Sequence, residues 1–287
     1  MMQAERETLA TAPPSPRSWK AQLDLGFNVR HQKTALTSRK HTGPLSIQKT
    51  FYPEENGTCH TYILHPPGGL VGGDEITINI AAEEDTQALL TTPSAGKFYR
   101  SHQLTATQKL TFTLKKNACV EWLPQETILF DKSTARLTTD VHLAEGAHYI
   151  GWDILCFGRP ASFEQFNEGH CQQNTRIYRN QKPLLIENTF YAGGTTFMRA
   201  PWGLNNFIVS ATLQATVKNA KTLSACQAIT KKFTAGQAGV TLIEDLIICR
   251  IMAHDKTHVW NLLIELWHRL RPDTLGHNPH LPRIWAT

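Results

Sequence analysis

The chain has 287 residues, of which 41% are hydrophobic and 18% are charged, and its formal net charge is +5. This composition supports a sizeable core and excludes a largely disordered protein. The positive charge is mild and forms no long Lys/Arg run, so we expect no nucleic-acid partner. No stretch approaches the roughly 18 consecutive apolar residues of a membrane span, so we expect no membrane association.

The cysteines and the N-terminus indicate a cellular compartment. The six cysteines are widely spaced and form no Cys-x-x-Cys pair, which excludes a zinc knuckle or a redox motif. The first residues include Glu5, Arg6 and Glu7 and lack the apolar region of a secretory signal. We therefore expect a cytoplasmic protein with reduced thiols.

The chain divides by composition into a leader and one domain. Residues 1–17 are rich in Pro, Ser and Thr and show no periodicity, so they are interpreted as a disordered leader. Residues 18–287 are interpreted as a single domain. It comprises a β-rich body, residues 18–205, and a C-terminal section, residues 206–287.

The β-rich body shows two kinds of strand pattern. Polar and apolar residues alternate in segments 21–27, 45–51, 75–80 and 110–114, which predicts strands with one buried face. Segments 88–92, 119–123 and 150–157 are continuously apolar, which predicts central strands covered on both faces. Turn residues recur about every 8–12 positions, a spacing typical of a sandwich, a barrel or a β-solenoid. The pattern does not choose among these three.

The C-terminal section has the pattern β-α-β-α. We predict a strand over 207–217, a helix over 218–233 and a strand over 239–252 with a candidate break at Glu244–Asp245. A second helix is predicted from an N-cap at Asp255 to a stop at Pro272. Its apolar stripe is formed by Val259, Leu262, Leu263, Leu266, Trp267 and Leu270.

Three residues of the tail are unusually placed. Arg283, Ile284 and Trp285 lie close to the end of the chain, where large apolar groups are uncommon because chain ends fray. We predict that they bind a partner or anchor the C-terminal core.

The segment HPPGGLVGGD, residues 65–74, is the most distinctive loop. It lacks the Lys-Ser/Thr of a phosphate-binding loop, and the alternating strand that follows excludes a dinucleotide fingerprint. The structural interpretation is a rigid glycine-rich corner between strands. The functional interpretation depends on the carboxylate that ends the loop, Asp74. The corner itself is formed by Pro66, Pro67, Gly68, Gly69, Gly72 and Gly73.

Local signs of nucleophilic or metal chemistry are weak. No Gly-x-Ser-x-Gly occurs, and Cys59 and His60, as neighbours in a strand, point to opposite faces. His254 and His258 are spaced to share one helix face, but an isolated pair rarely completes a coordination sphere. We predict no catalytic residue and no tight metal site.

Five carboxylates lie at or within segments that look buried or rigid: Asp74, Glu121, Glu126, Asp153 and Glu187. A buried carboxylate is costly unless it is paired or bound to a cation. One interpretation gives each acid a basic partner such as Lys97, Arg100 or Arg159. The other is a polar interior path for a cation, for which hard oxygen ligands suit transient passage of Ni²⁺ or Mg²⁺.

Five blocks in order, HPPGGLVGGD, TTPSAGKFYRS, EWLPQETILF, GWDILCFGRP and PRIWAT, closely resemble the UreD (UreH) family of urease accessory proteins. The resemblance covers about residues 19–287. It implies a mainly β, helically wound stack of strands with a few helices. It also implies a non-catalytic scaffold that binds UreF, the GTPase UreG and apo-urease, and passes nickel to the urease active site.

The resemblance further implies an interior route for transient Ni²⁺, without a tightly bound cofactor. Asp74 and Glu187 match family acids thought to line that route, and Glu126 and Asp153 complete our candidate set. The alternative is an enzyme with an unrecognised β-fold active site, in which Asp74 or Glu126 acts as a general acid or base.

Overall fold

The computed structural model describes residues 18–101 and 103–286, so the predicted leader, residues 1–17, lies outside the described residues. In these two ranges the chain is mostly β, with two sheets and three α-helices. In chain order the strands are β1 (Lys20–Arg30), β2 (Lys33–Thr42), β3 (Ser46–Ile47), β4 (Cys59–Leu64), β5 (Glu75–Ala82), β6 (Gln87–Thr91), β7 (Gly96–Phe98), β8 (Ala106–Leu114), β9 (Cys119–Trp122), β10 (Thr127–Leu129), β11 (Thr134–Leu143), β12 (His148–Arg159), β13 (Glu164–Gln165), β14 (His170–Arg179), β15 (Lys182–Ala192), β16 (Val209–Thr216), β17 (Gly236–Ile243) and β18 (Leu246–Ala253). The helices are α1 (Thr196–Arg199), α2 (Lys221–Thr230) and α3 (Lys256–Leu275), with single 3-10 turns at Pro160–Ser162 and Arg283–Ala286.

The chain winds between the two sheets in stacked coils. The first sheet has the order β15-β14-β11-β8-β5-β1-β2, and β1, β5, β8, β11 and β14 run parallel in it. The second sheet has the order β17-β18-β16-β12-β9-β6-β4-β3, and β4, β6, β9 and β12 run parallel. Successive coils stay in register, as in a β-solenoid. The predicted mainly β, helically wound architecture is confirmed, and the barrel and the simple sandwich are excluded.

One apolar core lies between the sheets and a second lies under the helices. Alternate residues of the first sheet, such as Leu23, Ile78 and Phe112, point into the inter-sheet core. The other face of the second sheet packs against α2 and α3. The segments predicted to be covered on both faces are β6, β9 and β12, which are buried almost throughout. That prediction is confirmed.

The C-terminal section contains the predicted strand and helices. The candidate break at Glu244–Asp245 is a hairpin turn, so the section reads β16, α2, β17, β18, α3. Asp255 caps α3, with its Oδ1 accepting a hydrogen bond from the Thr257 backbone N–H at 2.6 Å. None of the helices in the described ranges is long and apolar enough to span a membrane.

Two predicted boundaries are wrong. Pro272 lies inside α3, which ends at Gly276 (φ 81°). A proline in the last turn removes one intrahelical bond, and a left-handed glycine then ends the helix. Segment 45–51 forms only the two-residue β3 and an isolated bridge from Phe51 to His60, because its pairing with β4 is irregular. The four-residue α1 was not predicted, since one turn is too short to show a period.

Candidate functional site: the polar interior between the sheets

The glycine-rich segment is a tight corner that continues the coils. The Leu70 backbone N–H donates to the Lys97 carbonyl at 2.8 Å, and the Tyr99 N–H donates to the Leu70 carbonyl at 2.8 Å. Leu70 therefore forms an isolated parallel β-bridge with Phe98 of β7. A side chain at Gly69 would collide with the Tyr99 ring and the Lys97 carbonyl, so close packing requires glycine there. This geometry matches the structural interpretation of the loop.

Asp74 is buried, with 1% of its surface exposed, and is held by backbone donors. One carboxylate oxygen accepts from the Trp19 N–H at 3.2 Å and the other accepts from the Val71 N–H at 2.9 Å. Nearby, the His65 ring lies 5.3 Å from the Trp19 ring, and its Nε2 is buried without a hydrogen bond. Burial lowers the pKa of His65, and the Asp74 charge opposes that shift. Asp74 thus ties the loop to the start of β1.

The interior face of the first sheet changes from apolar to polar along one row. Strand pairing places Leu23, Ile78 and Leu110 side by side on β1, β5 and β8. The same row continues through Thr139 on β11 to Thr175 on β14. It ends at Glu187 on the edge strand β15, directly opposite Thr175. Both threonines are buried. The second half of the coil stack therefore carries hydroxyl and carboxylate groups where the first half carries aliphatic groups.

A matching polar row crosses the second sheet. Asp153 on β12 pairs with Thr212 on β16, which pairs with Arg250 on β18. Asp153 lines an inter-sheet cavity of about 80 Å³ together with His65 and Gln108. Burial raises the pKa of Asp153 from 3.8 to about 6. Asp153 is therefore an interior carboxylate that faces a space able to hold water.

A larger cavity of about 460 Å³ opens at the end of the stack, between β14–β15 and β16–β18. Thr175 and Thr212 line it from the two sheets, so the two polar rows meet there. At its edge Glu187 of β15 forms an ion pair with Arg250 of β18, which links the sheets. We call the two polar rows and the cavities beside them the polar zone; Asp153 lines its smaller cavity and Glu187 lines its larger one, and the two cavities have no lining residue in common.

Asp74, Glu121 and Glu126 line neither of these two cavities, and the basic groups that pair with the acids differ from the examples predicted. Glu126 bonds Lys256 Nζ at 2.8 Å, at the start of α3. Arg159 pairs with Glu164 at 2.7 Å rather than with any of the five acids. Neither Lys97 nor Arg100 forms an ion pair with them within the described residues. Glu121, Glu126 and Glu187 do have basic partners, as one interpretation of the sequence expected, but these are Arg271, Lys256 and Arg250 rather than Lys97, Arg100 or Arg159.

Sequence reasoning missed a buried ion network under α3. Arg271, 1% exposed, donates through Nε to Glu121 at 2.9 Å and through Nη2 to Glu54 at 2.8 Å. Glu54 Oε1 also contacts His60 Nε2 at 2.7 Å. Burial acts to raise the pKa of Glu54, but the bonds from His60 and Arg271 outweigh it and hold the pKa at about 2. One feature of the sequence could have indicated this network. Arg271 lies four residues after Trp267 and therefore on the apolar side of α3, where a charged group needs a buried partner.

The tail packs onto this protein's own core. The Trp285 ring lies 5.1 Å from that of Trp260, 5.8 Å from that of Trp267 and 5.9 Å from that of Trp152. Its indole N–H donates to Thr91 Oγ1 at 2.9 Å. Trp285 and Ile284 are partly buried and Arg283 is exposed. A partner-binding role for Arg283, Ile284 and Trp285 stays a prediction.

The described residues contain no group of three or more His, Cys, Asp or Glu side chains placed to hold a metal ion. His254, one of the two spaced histidines of the sequence, instead lies against the Phe207 ring at 4.7 Å. The fold and the site therefore define a solenoid-like β protein with a polar interior zone of isolated oxygen ligands.

The family model described as "UreD urease accessory protein" matches residues 20–286. A UreD urease accessory protein of Saccharophagus degradans is 42% identical over 98% of this chain and 97% of its own length. Those of Citrobacter koseri and Alcanivorax borkumensis are 41% and 40% identical, each over 94% of this chain and 93% of their own length. The chain belongs to the UreD family of urease accessory proteins. The resemblance is confirmed, and with it a role in urease maturation among the components of that process.

Proposed function

We propose that this protein is a non-catalytic cytoplasmic scaffold that docks on apo-urease with UreF and the GTPase UreG and conducts Ni²⁺ toward the urease active site. The ion is cargo that passes through the protein, which holds no tight cofactor of its own. Family membership supports the urease role, and the polar interior zone supports the route.

The observation that carries the route is Asp153, a partly buried carboxylate that lies between the sheets and lines a cavity. A fixed negative charge in a low-dielectric interior raises the local concentration of cations. From Asp153, the Thr139–Thr175 row on one sheet and Thr212 on the other continue to the open cavity beside Glu187. A cation on this path meets these oxygen atoms, while apolar side chains such as Ile78 and Leu110 form much of the remaining wall of the smaller cavity.

The same arrangement favours passage over storage. Tight binding needs several converging ligands, whereas hydroxyls and single carboxylates bind Ni²⁺ weakly. Burial raises the pKa of Asp153 to about 6, so the carboxylate is mostly ionised at neutral pH and loses its attraction for a cation as the pH falls below that value. Weak ligands in series allow an ion to leave each position.

The structure does not favour the enzyme alternative. Asp74 accepts two backbone N–H donors, and Glu126 is engaged by Lys256, so both candidate acid–base groups already have partners. General acid–base catalysis instead requires a group within reach of a bound substrate.

The proposal is tested with Asp153→Asn, which preserves shape and removes the charge. We expect normal assembly with UreF, UreG and apo-urease, but less nickel in the urease recovered from the same samples. Glu164→Gln is the matched control, because it breaks an ion pair on the surface away from the interior zone. Normal nickel loading in Asp153→Asn would refute this route, and failed assembly would instead assign Asp153 a structural role.

A further inference from the structure

The four ends of the two sheets are protected unequally. An exposed sheet edge invites pairing with another chain, and proteins usually protect it with charges, proline or a short strand. The edge strand β3 has only two residues. The edge strands β2 and β15 carry such groups in Lys33, Arg39, Lys40, Lys182, Pro183 and Glu187. β17, with the sequence GQAGVTLI, carries no charge and no proline over eight residues.

The free edge of β17 presents a regular row of backbone groups. The Val217 N–H donates a hydrogen bond to the Asp245 carbonyl. This bond shows which residues of β18 direct their backbone N–H and C=O groups toward β16 and which direct them toward β17. Odd-numbered residues of β18 then bond β16, and its even-numbered residues bond Gln237, Gly239, Thr241 and Ile243. The N–H and C=O groups that point away from the sheet therefore belong to Gly236, Ala238, Val240 and Leu242. Within the described residues no other strand pairs with this edge.

The middle of this edge carries a glycine that its own fold does not require. A Cβ at Gly239 would meet no atom within 4 Å, whereas one at Gly236 would collide with the Met252 carbonyl. Glycine weakens a strand interior, and such a position often marks the close approach of another backbone. A Cβ at position 239 would point toward the larger cavity, which Gly239 lines, so the absence of a side chain there leaves the middle of the edge strand uncrowded.

Opposite charges flank β17 at its two ends. Lys231 and Lys232 precede the strand and are exposed, while Glu244 follows it and is also exposed. The other acid of the turn, Asp245, already bonds Arg179 at 2.6 Å. In an antiparallel pair of identical strands, the basic start of one lies beside the acidic end of the other. The edge is therefore complementary to itself in charge.

We propose that β17 pairs with β17 of a second copy of this chain, antiparallel about a two-fold axis at Gly239. In this register Ala238 exchanges both backbone hydrogen bonds with Val240 of the second copy, and Gly236 with Leu242. The two glycines at position 239 form the non-hydrogen-bonded pair, where Cα atoms approach to about 4.5 Å. The second sheets of the two copies become continuous. We infer this dimer from the edge of β17 and not from the nickel route, although Gly239 also lines the larger cavity.

The test measures the dimer dissociation constant of the purified full-length chain by sedimentation velocity over a range of concentrations. The double variant Lys231→Glu with Lys232→Glu places acid beside Glu244 and should weaken the dimer by roughly tenfold or more. Adding Glu244→Lys restores opposite charges and should recover most of the affinity. The proposal is overturned if neither set of substitutions changes the dimer dissociation constant. It is also overturned if the natural chain stays monomeric over the whole concentration range.

Hydrogen exchange tests the register. Amide exchange at Ala238, Val240 and Leu242 should slow as the concentration rises, while Thr241, whose amide bonds β18, should not change. Val240→Pro removes an outward N–H without taking a bond from β18 and should abolish the dimer. If these amides were protected only in complex with another protein, the edge would belong to that protein and the proposal would fail.

Discussion

Glu187 and Arg250 form an ion pair that joins the edge region of the first sheet to the second sheet at the open end of the coil stack. Both side chains line the larger cavity, and about half of the Arg250 side chain is exposed. The pair therefore sets the charge at the opening of the polar zone, and its two members have opposite effects on a cation.

The two neutral variants of this pair should differ in nickel delivery. Glu187→Gln leaves Arg250 unpaired at the opening, which repels Ni²⁺, so urease should contain less nickel. Arg250→Gln leaves the carboxylate free, so nickel content should not fall. Each change should cost at most about 1 kcal/mol of stability, because the pair is partly exposed. Equal nickel content with both variants would show that the opening is elsewhere.

Asp153 should make the stability of the protein depend on pH. The folded state raises the pKa of Asp153 from 3.8 to about 6. The contribution of Asp153 to the free energy of unfolding is therefore fully present below pH 3.8, where the group is protonated in both the folded and the unfolded state. That contribution is lost as the pH rises through about 6. The loss amounts to roughly 3 kcal/mol. Asp153→Asn, which cannot ionise, should therefore gain stability relative to the natural protein between pH 4 and pH 7. Urea unfolding at several pH values measures this, and a constant difference would contradict it.

Arg271 should be essential to the attachment of α3. Arg271→Gln leaves Glu121 and Glu54 buried without their shared cation, which typically costs about 3–5 kcal/mol. Arg269→Gln is the matched control on the same helix, because Arg269 pairs with Asp273 near the surface and its loss should cost under about 1 kcal/mol. Chemical unfolding of both variants tests this, and similar costs would show that the network contributes little.

Asp74 should stabilise the glycine corner through two separate oxygens. Asn offers one acceptor oxygen, so Asp74→Asn leaves the N–H of Trp19 or Val71 unpaired, at a cost of about 1–3 kcal/mol. Asp131 is the control, because its single Oδ1 accepts both the Asn167 and Glu168 N–H groups and an Asn can retain them. We expect a lower unfolding midpoint for Asp74→Asn than for Asp131→Asn. The reverse order would show that the Asp74 bonds are weak.

Trp285 should anchor the tail to α3 and β12. Trp285→Ala removes contacts with three tryptophans and the bond to Thr91, and we expect a loss of about 2–3 kcal/mol, below that of a fully buried tryptophan. Arg283→Ala, at an exposed neighbour, should leave stability unchanged. If Arg283→Ala weakens UreF binding while stability is unchanged, the partner role predicted for the tail gains support. An unchanged unfolding midpoint in Trp285→Ala would contradict the anchoring role.

Much of the local structure was predictable because it depends on neighbours in sequence. Alternation predicted β1 and β5, continuous apolar runs predicted β6, β9 and β12, and Asp255 identified the start of α3. Pro272 misled the prediction of the helix end, since one proline in a last turn costs a single bond. The length of β3 was overestimated, because the alternation of polar and apolar residues indicates which side chains are buried and not whether the backbone pairs regularly with a neighbouring strand.

The sequence by itself determined the family, the mainly β character and the acids worth testing, since these follow from residue types and their local order. Only the tertiary structure decided which acids share an interior. Asp153 and Glu187 line the polar zone, whereas Glu126 faces Lys256 and Glu121 faces Arg271. The physical reason is that these contacts depend on the register of the stacked coils and on the docking of α3 against the second sheet, which joins Glu121 to Arg271 across 150 positions.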